Sequence, residues 1–396
     1  MNKKLVAVAI AGLLAAPLAQ AQTANVTLYG RINLSMEVVN GQLAPQAGHP
    51  TGWNPNIYKV SANSSRFGIR GTESLGGGLN AIFQIENGSL NVPETGGALA
   101  GRDSFVGLSG TWGTFKMGRF LAPYDDIHGI FGNNATAGTS LLSTASVWAN
   151  GWAGQPGNGG FDDRLQNSVR YDTPTMSGFR AAFQFSTNEN VTSNGNPALG
   201  AGNASNNFSM GGFYNNGPWQ LGVAYEQHNN ARVGTGCPGP NTVSCLTDKA
   251  FSIAGGYQFS RFYLAGVWER KQYDATSTTD FHNNFWAISG TLDVGASGDQ
   301  IFMYYGNAGD GSGSAKDGYR VSGGANGSVA KGPDTGAYDW ELSYTKQMSK
   351  RTWLYTGYHK IQNDKNAQYN FNINSVQNLA IGGKPGGFIA GMFHNF

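Results

Sequence analysis

The feature that most constrains this chain is a two-residue alternation of apolar and polar side chains that recurs along its length after residue 21. Val26, Leu28, Gly30, Ile32, Leu34 and Met36 fall on one face of an extended segment, and Thr27, Tyr29, Arg31, Asn33, Ser35 and Glu37 on the other. Successive side chains of a strand point to opposite faces, so one face is oily and one wet. The same pattern sets Leu79, Ala81, Phe83 and Ile85 against Asn80, Gln84 and Glu86, and Phe179, Ala181, Phe183 and Phe185 against Arg180, Gln184 and Ser186. It returns with Trp219, Leu221, Val223 and Tyr225 against Gln220, Gly222, Ala224 and Glu226, and with Tyr338, Trp340, Leu342 and Tyr344 against Asp339, Glu341, Ser343 and Thr345. Segments 208–215, 261–270, 301–305 and 352–361 are less clean, with large apolar residues on both faces.

Punctuation supplies the topology. Short turns are expected at 73–77, 109–113, 174–178, 216–218, 260–261, 295–298 and 348–351. They alternate with long polar, Gly- and Asn-rich loops at roughly 39–57, 88–101, 121–163, 188–206, 229–248, 272–283, 307–334 and 363–377. Seven turns and eight loops join sixteen strands, with both ends of the exported chain on the short-turn side. No window after residue 21 approaches 18 consecutive apolar residues, which excludes a membrane helix. A soluble β-sandwich also alternates polarity, but its wet face lies outside and its loops are rarely so unequal. The pattern predicts an all-β fold, a 16-stranded antiparallel transmembrane barrel: hydrocarbon leaves no backbone polar group unpaired, so a spanning sheet must close, and sixteen strands leave a water-filled lumen. A composition of 59 Gly, 12% aromatic and 13% charged residues suits that many turns and so large an apolar surface.

Residues 1–21 read as a cleaved signal peptide, with basic Lys3 and Lys4, an apolar run from Leu5 to Leu14, and Ala19-Gln20-Ala21 before the cut. Residues 22–396 then form one exported barrel domain. Removing Lys3 and Lys4 leaves 24 basic and 24 acidic residues, a neutral balance that implies no nucleic-acid partner. Cys237 and Cys245, eight residues apart in a loop-like stretch, are expected to form one disulfide in an exported protein. Two thiols with only His228 nearby make a poor zinc site, and no metal or cofactor is expected.

Several blocks resemble the Gram-negative general porin family, especially its betaproteobacterial and neisserial branch: Val26-Thr-Leu-Tyr-Gly-Arg31, Ser65-Arg-Phe-Gly-Ile-Arg-Gly-Thr-Glu-Ser-Leu-Gly-Gly-Gly-Leu79, Phe105-Val-Gly-Leu108 and Asn167-Ser-Val-Arg-Tyr-Asp172. The likeness spans the exported chain. It implies an outer-membrane barrel, a homotrimer, a third loop folded into the lumen as a constriction, and passive diffusion of small hydrophilic solutes and ions. Phe388, Ala390, Met392, His394 and Phe396 alternate to the last residue, and a terminal Phe396 resembles the signal read by the barrel assembly machinery.

A diffusion channel needs a wet bore and fixed charges whose field the low-dielectric wall focuses, not a catalytic group. Arg31, Arg66, Arg70, Arg164 and Arg170 share the polar parity of their strands and should face the lumen. By the resemblance, Arg31, Arg66, Arg102 and Arg164 match the basic ladder of the family's constriction. Arg102 and Arg119 sit at uncertain parity, and Lys116 is an inward alternative. Any single one of these also reads as a solvated wall charge. Opposing acids are expected from the third loop, where Asp125 and Asp126 are favoured and Asp162 and Asp163 equally suit pairing with Arg164. That charge balance predicts a weak preference for anions.

Catalytic motifs are absent from the sequence: no His-Glu-x-x-His or Gly-x-Ser-x-Gly stands in it, and the six His are scattered. The alternatives left open are a substrate-specific channel with a defined solute site and a secreted β-rich binding protein.

Overall fold

The computed structural model describes residues 25–45, 53–88, 100–132, 139–149, 160–187, 205–233, 244–295, 298–322 and 327–396. The expected leader lies outside them.

Among the described residues sixteen strands form a closed antiparallel sheet. In chain order they are β1 (Asn25–Asn40), β2 (Ile57–Ala62, resuming as Arg66–Gly76), β3 (Leu79–Gly88), β4 (Ser104–Gly110), β5 (Gly113–Leu121), β6 (Arg164–Asp172), β7 (Phe179–Thr187) and β8 (Asn206–Asn216). The second half comprises β9 (Trp219–Val233), β10 (Ser244–Phe259), β11 (Phe262–Asp274), β12 (Asp280–Val294), β13 (Asp299–Ala308), β14 (Ala337–Gln347), β15 (Thr352–Asn363) and β16 (Gly386–Asn395). β16 pairs back onto β1, from Arg31 opposite Asn395 to Asn40 opposite Gly386, so the sheet offers hydrocarbon no unpaired edge.

The alternation holds in space. Val26, Leu28, Ile32 and Met36 are 44–69% exposed, whereas Asn33, Ser35 and Glu37 between them are at most 3% exposed. The apolar face therefore looks outward, as lipid contact demands, and the polar face looks in. At the seam Phe396 exchanges two backbone hydrogen bonds with Gly30, 3.0 and 3.1 Å long. A Cβ on Gly30 would stand 2.2 Å from the Phe396 ring and 2.8 Å from the Arg66 carbonyl oxygen, so only glycine fits beneath the terminal ring.

Six of the seven short connections fall where the turn residues placed them; the first, expected at 73–77, tightens to 77–78 because the strand runs on to Gly76. The long ones differ. The expected loop at 229–248 shrinks to 234–243, that at 272–283 to 275–279, and the last runs from 364 to 385. Polar composition had marked these strand ends as loop, but backbone groups above the hydrocarbon pair equally well beneath Gln, Asn and Lys side chains. The last two long loops also share a small sheet of Arg320–Ser322, Gly327–Ala330 and Gln368–Tyr369.

The third long loop, between β5 and β6, packs against the inner wall. It carries a 3₁₀ turn at Asp125–Ile127, one helical turn at His128–Phe131 and a second 3₁₀ turn at Thr144–Ser146. Tyr124, Ile127, Phe131, Leu141, Leu142 and Trp148 are fully buried in one cluster with the inward-facing Phe213, Tyr263, Phe302, Tyr304 and Ile361. Burying each such large side chain contributes about 1.5–3 kcal/mol. Those inward apolar residues come from the four segments whose alternation was unclean: they mark where the wall meets the loop instead of water.

Candidate functional site

The wall formed by β1 to β6 carries the arginines. Arg31 and Arg66 are cross-strand partners. Arg66 lies 3.6 Å and Arg102 2.6 Å from the Glu86 carboxylate, which also accepts from the Tyr29 hydroxyl at 3.0 Å. Arg102 precedes the first residue of β4, so strand alternation does not set its direction. Arg164 binds Asp103 at 2.5 Å, and the Arg164 backbone amide donates to Asp163 at 2.7 Å. Arg31 donates to Asn395 at 3.0 Å and stacks 4.8 Å from the Phe393 ring centre, with no side-chain carboxylate of the described residues in contact. A register shift between Gly118 and Phe120 re-aims Arg119, whose guanidinium reaches Gln166 at 3.4 Å.

The two favoured acids part company. Asp125 lines a cavity of about 450 Å³ with Arg66, Arg102, Arg164, Asp162 and Asp163. Asp126 instead binds Arg170 at 2.8 Å and Arg180 at 3.1 Å, and Arg170 also holds Asp172 at 2.7 Å and the Leu121 carbonyl at 2.9 Å. The 125–126 pair lies within a 3₁₀ turn, which sends the two carboxylates in different directions. Arg70 lies off the cavity, 5.0 Å from the Tyr29 ring.

Burial, followed by repulsion from Asp162 and Asp126, pushes the Asp125 carboxyl well above the usual range, against the pull of Arg164. Asp162 is pushed up to about 7, by burial first and by neighbouring Asp163 second. His128, beneath them, is driven down to about 4 by burial and is neutral at neutral pH. At pH 7 the loop side of the cavity is thus less negative than its carboxylate count.

A profile of the Gram-negative porin family matches residues 6–366. The chain belongs to that family. The porin is 27% identical over 362 residues to outer membrane porin protein 32 of Delftia acidovorans, covering 90% of this chain and 88% of that one. It is 27% identical over 292 residues to the major outer membrane protein P.IB of Neisseria meningitidis, covering 74% and 77%. The fold superposes on an anion-selective porin from Comamonas acidovorans with a TM-score of 0.70 at 23% identity, covering 94% and 100%. Its place is the outer membrane, and what its family performs is diffusion through a water-filled barrel.

On the far side, β9 to β15, the porin's inward polar groups hold the third loop. Glu269 accepts from the Tyr124 hydroxyl at 2.7 Å and from the Ala149 amide with both oxygens at 3.2 Å, while Lys271 pairs with Glu269 at 3.2 Å and donates to the Val147 carbonyl at 3.1 Å. His359 bridges the Leu141 carbonyl at 2.9 Å and Asp339 at 3.2 Å. Sequence reasoning missed Glu86, Asp103 and Glu269 as site residues. Glu86 had the polar parity that would have flagged it; Asp103 lies outside a strand and carried no signal. Cys245 is disulfide-bonded, and Cys237 lies outside the described residues. Among the described residues no group of three His, Cys, Asp or Glu is placed to hold a metal ion.

Proposed function

We propose that small hydrophilic solutes and ions cross the outer membrane passively between the arginine wall and the third loop, with a weak preference for anions. The cavity between Arg66, Arg102 and Arg164 on one side and Asp125 and Asp162 on the other carries this reading. Cations facing carboxylates across a narrow, low-dielectric passage set up a transverse field that orients dipolar solutes and slows apolar ones. Arginine stays protonated at any working pH, whereas Asp125 and Asp162 are held toward their neutral forms, so the net charge at the passage favours anions. The similarity to the anion-selective porin from Comamonas acidovorans supports the same sign.

The working unit is a homotrimer embedded in outer-membrane lipid, exported behind the 1–21 leader, assembled through the strand ending in Phe396, and without catalytic activity. Arg31, Arg66, Arg102 and Arg164 form the basic side of the constriction and Asp125 its acidic side; Arg70, Arg170 and Asp126 flank it, and Cys237 with Cys245 staples the fifth long loop. Reversal potentials across planar bilayers under a KCl gradient test the charge claim. Chloride preference that falls when Arg66 and Arg164 become Ala is expected. Cation preference in the parent, unmoved by those substitutions, overturns it.

A further inference from the structure

The last long loop, 364–385, does not stand away from the barrel. Its stem is tied to the first long loop by hydrogen bonds from the Ala380 amide to the Gln42 carbonyl and from the Ala44 amide to the Asn378 carbonyl, both 2.8 Å. Tyr369 and Phe371 are fully buried, Phe371 against the His359 ring at 5.2 Å. Past this anchor the chain turns down into the bore. Asn374 adopts a φ of +58°, a left-handed conformation that asparagine tolerates, and reverses the chain there.

The tip ties the barrel wall to the third loop. On the wall side, the Asn374 amide donates to Glu37 at 2.7 Å and to Asn63 at 2.8 Å, and Lys59 donates to the Asn374 carbonyl at 2.6 Å. On the loop side, the Asn372 amide nitrogen meets Ser146 at 3.2 Å and its side chain meets Asp162 at 3.4 Å. Asn372 and Ile373 line the same cavity as Arg66, Arg102 and Arg164. Ile373 is half-buried there, an apolar side chain among charges.

We infer that residues 372–374 are a second wall of the constriction, which closes the gap between the third loop and β1–β2 and sets the passage's cross-section, with Ile373 as a size-determining residue. This rests on the diffusion reading above. Solutes crossing beside the arginines then also pass Ile373, so bulk or charge added there is felt by every permeating ion.

The test is single-channel recording of the full-length trimer carrying Ile373→Cys, before and after anionic sulfonatoethyl and cationic trimethylammonioethyl methanethiosulfonate. Modification is expected to lower conductance by roughly two-fold and to shift ion preference in opposite directions for the two reagents. Asn374→Ala, which frees the tip from Glu37 and Asn63, is expected to raise conductance. A cysteine that reacts fully yet leaves conductance and preference unchanged overturns the inference, as does a thiol that neither reagent reaches. So does an Asn374→Ala channel of parental conductance. If instead the parent protein forms no channels, it is the diffusion reading that fails.

Discussion

The two halves of the barrel wall present the same alternation and use it oppositely. Along β1 to β6, Arg66 and Arg164, with Arg102 beside them, line the cavity, and Glu86 behind them holds Arg66 and Arg102. Along β9 to β15 the inward Glu269, Lys271 and His359 have no exposed surface, because the third loop lies on them and takes up their hydrogen bonds. One wall has an electrostatic task and the other a mechanical one. A polar residue facing the lumen of a barrel is therefore not by that fact a pore residue; what covers it decides.

The sharpest way to break this contrast is to neutralise one carboxylate in each half. Glu269→Ala removes the acceptor shared by Tyr124, Ala149 and Lys271 and leaves a buried ammonium unpaired, which costs about 3–5 kcal/mol. Loosening of the third loop should appear as strong current fluctuation and a lowered thermal midpoint of the trimer. A quiet channel of parental stability would mean that the loop is held by its apolar cluster alone. Glu86→Gln, in the open wall, should leave stability nearly unchanged and raise chloride preference by roughly two-fold or more, since it releases Arg66 and Arg102 from their shared counter-charge. Reversal potentials unmoved by this substitution would place Glu86 outside the field that ions feel.

Titration sharpens the comparison further. Asp162, held near 7, is mostly protonated at about pH 6 and mostly ionised at about pH 8. Raising pH through that window adds negative charge to the loop side, so chloride preference should fall as pH rises and recover on acidification. A flat profile, or one of opposite sign, would remove Asp162 from the constriction. The smallest effect is expected for Arg70→Ala, because Arg70 stands over the Tyr29 ring away from the cavity. Selectivity within roughly a tenth of the parent value is the expected result, and a large loss would return Arg70 to the ladder.

Much of this was legible beforehand. Period-two patterning marked the strands whose inner face meets water more cleanly than those that meet the third loop, because the bilayer rewards an oily outer face residue by residue, and Gly-, Pro- and Asn-rich turns placed six of the seven short connections and the edge of the first. Arg31, Arg66 and Arg164 were visible through their parity, Arg102 only through the family resemblance. The split of Asp125 from Asp126 was not, since neighbours on a 3₁₀ turn diverge by an angle that composition does not encode. Nor was the pairing of Arg164 with Asp103, 61 residues away in sequence.

By itself, then, the order of residues determined a closed membrane barrel, its strand count and the sign of each face, all of which follow from local periodicity read against two solvents. Only the tertiary structure decided which inward residues meet water, which carboxylates stay charged, and that a second loop tip enters the passage. Those outcomes depend on distances between segments far apart in the chain, and burial and Coulomb interactions act through space.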